Sequence, residues 1–194
     1  KNMPLWKILG CKNTKSMETS FTIAIGRIEE IERKIIEADP FKILKVKLGT
    51  PNDDKNIIKE IRKFTDKIIR VDANEGWDFD TSVEMCNWLA DRNVEFVEQP
   101  FPAKDLEKSE KLTKVSPLDI YADENSRNVK DINKIKNSFD GINIKLMKCG
   151  SIEEALEMVM LAKKYNLKIM LGCMVETSVG ITAAASIASV VDKV

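Results

Sequence analysis

From the second onward, strand-like runs end at or beside residues 47, 72, 98, 123, 145 and 172, spaced 25, 26, 25, 22 and 27 residues apart. A return of that length holds one helix, and a strand–helix–strand return makes neighbouring strands parallel with a right-handed crossover. The predicted strands are Phe21–Ile25, Ile43–Lys47, Ile68–Asp72, Val94–Glu98, Leu118–Asp123, Ile142–Leu146 and Lys168–Gly172, all short β-branched runs. Charged, periodic segments separate them: Ile28–Ala38, Asp54–Thr65, Thr81–Asp91, Asp105–Lys114, Val129–Ser138, Ser151–Tyr165 and Ser178–Val190. Helix-start signals open two of these, at Asp80–Glu84 and Ser151–Glu154.

Seven alternating units suit two architectures. A doubly wound sheet stays open, but neither GxGxxG nor GxxxxGKS/T follows the first strand, which weakens its nucleotide-binding form. A complete (β/α)8 barrel takes about 250 residues, against 194 here. The expected fold is therefore a TIM-like (β/α) barrel of seven βα units, without its eighth strand.

Composition removes several functions. Lys+Arg and Asp+Glu both number 31, so the net charge is zero and argues against nucleic acid or an anionic membrane as partner. No apolar run is long enough to span a bilayer. With no histidine, there is no Ser-His-Asp triad, Cys-His pair or His-ligated zinc. Cys11, Cys86, Cys149 and Cys173 lie far apart and read as ordinary semi-buried thiols. No signal peptide opens the sequence at Lys1, so the cytoplasm is the expected compartment.

In a barrel strand alternate residues face inward, and chemistry collects at the C-terminal ends. Parity in Ile43–Leu48 sends Leu44, Val46 and Leu48 toward the helices and Lys45 and Lys47 into the barrel mouth. Two adjacent, half-buried ammonium groups would each favour loss of a proton, which suits a base; a polar rim or edge strand is the alternative. The next three strands end in Asp72, Glu98 and Asp123. One such acid is ordinarily a loop cap, but three at equivalent positions would converge, repel and call for a cation. All-oxygen ligation suits magnesium, with manganese as a substitute. Lys145 faces inward from the sixth strand, across the barrel from Lys47. Two opposed bases around a metal-bound carboxylate suit a 1,1-proton transfer, that is, racemisation or epimerisation. A structural salt bridge or a Schiff-base lysine remains an alternative, although a Schiff-base aldolase needs no carboxylate triad.

The motifs Lys45-Val46-Lys47, Asp72-Ala73-Asn74, Glu98-Gln99-Pro100, Ala122-Asp123-Glu124 and Asn143-Ile144-Lys145 resemble the enolase superfamily, within it the muconate lactonising enzyme subgroup. The stretches Ile144–Gly150 and Leu171–Gly180 look like the dipeptide epimerases, such as the L-Ala-D/L-Glu type. The resemblance implies that Asp72, Glu98 and Asp123 bind magnesium and that Lys47 and Lys145 are the two acid/bases. Lys45 would assist Lys47 and stabilise charge on the substrate carboxylate. The implied reaction is epimerisation of a dipeptide by two-base proton transfer through a metal-stabilised ene-diolate. Met3–Gly10 is similar to the segment leading into the family's barrel, so residues 1–19 are expected to be a lead-in from a capping domain. Residues 20–194 would be the partial barrel, with the capping domain and eighth strand missing. Asn125 and Ser151 stand where the family pattern has Ser and Gly.

Two alternatives are carried forward. One keeps the superfamily and changes the reaction to a cycloisomerase, N-acylamino acid racemase or o-succinylbenzoate synthase. The other is a truncated, non-catalytic fragment that forms a homo-oligomer through exposed sheet edges.

Overall fold

The computed structural model describes residues 2–12 and 17–194. Residue 1 and residues 13–16 of the expected lead-in segment lie outside the described residues. In chain order the elements are α1 (Leu5–Ile8), β1 (Ser20–Ile23), α2 (Ile31–Glu37), β2 (Ile43–Lys47), α3 (Pro51–Phe64), β3 (Ile68–Asp72), α4 (Phe79–Ala90), β4 (Val94–Glu98), α5 (Leu106–Thr113) and β5 (Asp119–Ala122). They continue as α6 (Val129–Ile135), β6 (Gly141–Ile144), α7 (Leu146–Cys149), α8 (Ile152–Lys164), β7 (Lys168–Leu171) and α9 (Ser178–Ala185). The chain divides into two compact units, one of Glu18–Tyr121 and one joining residues up to Met17 with Ala122–Val194.

In the unit Glu18–Tyr121, β1 to β5 pair in sequence order, and every pairing is parallel. A doubly wound sheet would reverse its strand order at a switch point; unbroken sequential order is that of a barrel wall. Leu44, Val46 and Leu48 are fully buried, as the alternation in β2 predicts. A register shift beside Ile69/Arg70 puts Glu95 within reach of Arg70, whose Nε donates to it at 2.8 Å. Pro51 opens α3, three residues before the predicted start, with its fixed φ suited to the first helical position. Ile57, Ile58 and Ile61 of α3 are buried at helical spacing. The α4 cap is Asp78, which accepts from the Thr81 amide at 2.8 Å; the expected signal at Asp80 lies within the first turn.

In the second unit, β6 and β7 are parallel neighbours. Ser151 caps α8 as expected, accepting from the Glu154 amide at 3.1 Å. The Glu154 carboxyl turns away and accepts from the Val129 amide at 2.8 Å, fixing the start of α6. Beyond β7 the described residues form one isolated bridge and no further strand. Lys193 forms a parallel bridge with Met170, and the Leu171 amide donates to the Lys193 carbonyl at 2.9 Å. This single bridge lies along β7 within that unit. The Lys12 amide donates to Ser189 Oγ at 3.2 Å, tying the segment after α1 into this unit.

Two short helices, α1 and α7, were not expected. The apolar Leu146 reads as the end of a strand, but the chain turns helical immediately after Lys145 and stops at Gly150, whose φ of 86° closes the turn. Among the described residues no helix is long and apolar enough to cross a membrane.

Candidate active site

The unit Glu18–Tyr121 carries Lys45 within β2 and Lys47, Asp72 and Glu98 at strand ends. Register pairs Lys47 with Asp72 and Asp72 with Glu98, so the three share one face of the sheet. Lys45 Nζ donates to Glu98 Oε2 at 2.6 Å and lies 3.2 Å from Asp72 Oδ2. Lys47 Nζ donates to the same Asp72 oxygen at 2.6 Å. Each ammonium therefore meets a carboxyl, rather than chiefly the other lysine as the sequence suggested. Asp72 and Glu98 are fully buried, and each offers an oxygen within 4.8 Å of the other. Two buried carboxyls so close repel unless positive charge lies between them, which the two lysines supply. Hard oxygen donors in this arrangement fit a divalent cation such as magnesium.

The loops beyond these strands are held tightly. Asn74, Glu75 and Gln99 adopt left-handed φ values of 47°, 62° and 40°, unusual for residues with a Cβ. Backbone bonds lock them in place: Glu75 N donates to Gln99 O at 2.8 Å, and Trp77 N to Pro100 O at 3.1 Å. The Asn74 amide donates to Asp72 Oδ1 at 3.0 Å, so the turn itself orients the carboxyl. Such strain persists where surrounding structure enforces it, commonly at functional sites.

The second unit carries Asp123 and Lys145. Lys145 Nζ donates to Asp123 Oδ2 at 2.7 Å, and both side chains are almost fully buried. Lys148, one turn further along, donates to Asp123 Oδ1. Burial would raise the Asp123 carboxyl, but the charges of Lys145 and Lys148 and their hydrogen bonds outweigh it and hold it below the ordinary Asp value.

Two residues at this end of the strands escaped the sequence reading. Lys148 lies in the stretch resembling the epimerases, but its i,i+3 relation to Lys145 carries weight only once a helical turn is recognised there. Asp54 stands at the predicted start of the charged, periodic segment Asp54–Thr65; it is fully buried, and its carboxyl gathers donors from two loops. An acid in the first turn of a helix ordinarily answers the helix dipole, so the sequence offered no sign of this.

Residues 27–194 match the family described as enolase C-terminal domain-like. An L-Ala-D/L-Glu epimerase of Bacteroides thetaiotaomicron is 43% identical over 191 residues, covering 97% of this chain and 50% of the relative. A crystal structure of a dipeptide epimerase from Methylococcus capsulatus, complexed with Mg and L-Arg-D-Lys, is 32% identical with a TM-score of 0.91. That match covers 98% of this chain and 56% of the other. The Enterococcus faecalis dipeptide epimerase complexed with Mg and L-Leu-L-Tyr is 35% identical with a TM-score of 0.90, covering 96% and 55% respectively. The chain spans about half the length of the curated relatives it matches. Its parallel βα order and this match agree: the chain belongs to the enolase C-terminal domain-like family.

Proposed function

We propose that this chain supplies the catalytic strands of a magnesium-dependent dipeptide epimerase that works by two-base 1,1-proton transfer. One observation carries the reading: each candidate acid/base lysine donates to a buried strand-end carboxyl, Lys47 to Asp72 at 2.6 Å and Lys145 to Asp123 at 2.7 Å. In this reading Asp72, Glu98 and Asp123 together hold the magnesium ion, with manganese as a substitute. When bound, the ion supplies positive charge to the substrate carboxylate as the α-proton leaves. Lys47 removes or returns that proton on one face of the α-carbon, and Lys145 does so on the other. Lys45, anchored on Glu98, keeps a second ammonium beside Lys47 and the substrate carboxylate. The choice of dipeptides over other substrates of the superfamily rests on the relatives, two of which hold magnesium and a dipeptide.

The test is proton NMR in D2O with magnesium and L-Ala-L-Glu or other dipeptides, beside an EDTA control. Magnesium-dependent loss of an α-proton signal is the expected result, and its absence from every dipeptide refutes the reading. Converting Lys145 to Ala should abolish epimerisation but leave exchange of the epimer whose proton faces Lys47. Equal loss for both epimers contradicts the two-base arrangement.

A further inference from the structure

Asp54 sits in the first turn of α3, has no hydrogen bond to a candidate catalytic group among the described residues, and is nonetheless fully buried. Its carboxyl accepts from the Gly49 amide at 3.1 Å, the Thr50 amide at 3.0 Å and the Thr50 hydroxyl at 3.1 Å, all in the loop after β2. It also accepts from Trp77 Nε1 at 2.7 Å, in the loop after β3. Those loops follow Lys47 and Asp72 directly.

The two loops have no slack against each other. Gly49 has a φ of 114°, and a Cβ there would overlap the Ala73 carbonyl. A Cβ on Gly76 would overlap the Gly49 backbone. The Leu48 amide also donates to the Asp72 carbonyl at 2.7 Å. One buried carboxyl thus pins the loop behind Lys47 to the loop behind Asp72.

We propose that Asp54 is a positioning residue for Lys47, holding its ammonium at the geometry that proton transfer needs. The inference rests on the epimerase reading for its chemistry, but its geometry stands apart from it. Lys145 lies in the other unit and draws on none of these bonds, so a fault at Asp54 must show as asymmetry between the two bases. Misplacement of a catalytic group by about 1 Å can cost about 100-fold in rate.

The experiment compares the full chain with D54N and W77F. D54N puts an amide donor where only donors converge; W77F removes one donor and keeps an aromatic ring in the same pocket. The first readout is acetic anhydride labelling of Lys47 relative to Lys145, followed by mass spectrometry. Labelling of Lys47 should rise severalfold in D54N and less in W77F. The second readout is magnesium-dependent α-proton exchange of each epimer. The epimer facing Lys47 should lose about 100-fold in D54N, while the other stays within a few-fold. An unchanged labelling ratio in both variants overturns the positioning role, as does equal loss of exchange for both epimers, which is what a merely structural role would give. Absence of exchange in the wild-type chain overturns the epimerase reading instead, and the labelling arm still decides the geometry. Should D54N fail to fold, W77F carries both readouts.

Discussion

Asp123 anchors two lysines, so replacing it with Asn should cost far more stability than removing either lysine. The side chains of Lys145 and Asp123 are 5% and 4% exposed and 2.7 Å apart. An Asn keeps one acceptor for two ammonium groups and turns an N–H donor toward the other. Lys148, 16% exposed, can swing into water; Lys145 cannot. Breaking a buried pair by removing one partner typically costs about 3–5 kcal/mol, because the other charge is left buried without compensation. For a chain of this size that corresponds to a fall in Tm of about 6–20 °C.

Lys145→Met differs in kind. Asp123 keeps the ammonium of Lys148, and the lysine methylenes are replaced by an apolar chain of similar length. The lost charged hydrogen bond is worth about 1.5–3 kcal/mol, partly offset by the buried thioether. D123N combined with K145M should therefore be no worse than D123N alone, a coupling of about 2 kcal/mol. Urea unfolding at neutral pH in EDTA, followed by circular dichroism, measures all three. Equal m-values across the series would show that the same surface is being exposed. The reasoning fails if D123N lies within about 1 kcal/mol of wild type, or costs less than K145M.

Acid should expose the same anchor. The Asp123 carboxyl is held below its ordinary value of 3.8 by Lys145 and Lys148 against its burial, so its stabilisation is complete above that value and is lost as pH falls through the lower folded one. Acid titration in EDTA should show this component below about pH 4 in wild type, and D123N should lack it. The four cysteines should separate by exposure under a thiol reagent at neutral pH. Cys173 is exposed and reacts first, half-buried Cys149 follows, and Cys11 and Cys86 react only as the chain unfolds. Burial pushes the Cys86 thiol up to about 11, so rapid labelling there would mean that the α4 face is open in solution. Gly76→Ala should destabilise by about 1–3 kcal/mol by pressing the loop after β3 off Gly49; a neutral effect in thermal melts would refute the close packing there.

The sequence located β2, β3 and β4 to the residue because each is a β-branched run bounded by turn residues. It also found the Ser151 cap, whose side chain acts within one turn. It missed α7 because a four-residue helix has no periodicity to detect, and Leu146 extends the apolar run of β6. It placed the start of α4 two residues late because Asp78 and Asp80 are equally plausible caps until one of them bonds Thr81. Local signals were legible where the deciding contact was local.

The site divides along the same line. Parity sends Lys45 and Lys47 to one face of β2 because the side-chain period of a strand is two, and equivalent strand-end positions bring Asp72 and Glu98 to the same mouth. It is silent on which ammonium reaches which carboxyl. Lys45 bonds Glu98, two strands away, and Lys47 bonds Asp72, one strand away. That choice depends on how far each side chain extends along the pleat, and it changes the electrostatic argument. Two neighbouring lysines read from sequence as mutual repulsion; interleaved with buried acids, they become the charges that make burial of those acids tolerable. Asp54 carries the point furthest, since in sequence it is indistinguishable from Asp53 beside it. Only Asp54 is buried, and what makes it different is the pair of loops, separated by a whole helix and strand, that close around its carboxyl. A residue that works by joining two returns of the chain has no local signature, and the close contact of Gly49 with Gly76 is the nearest trace of it that the fold leaves.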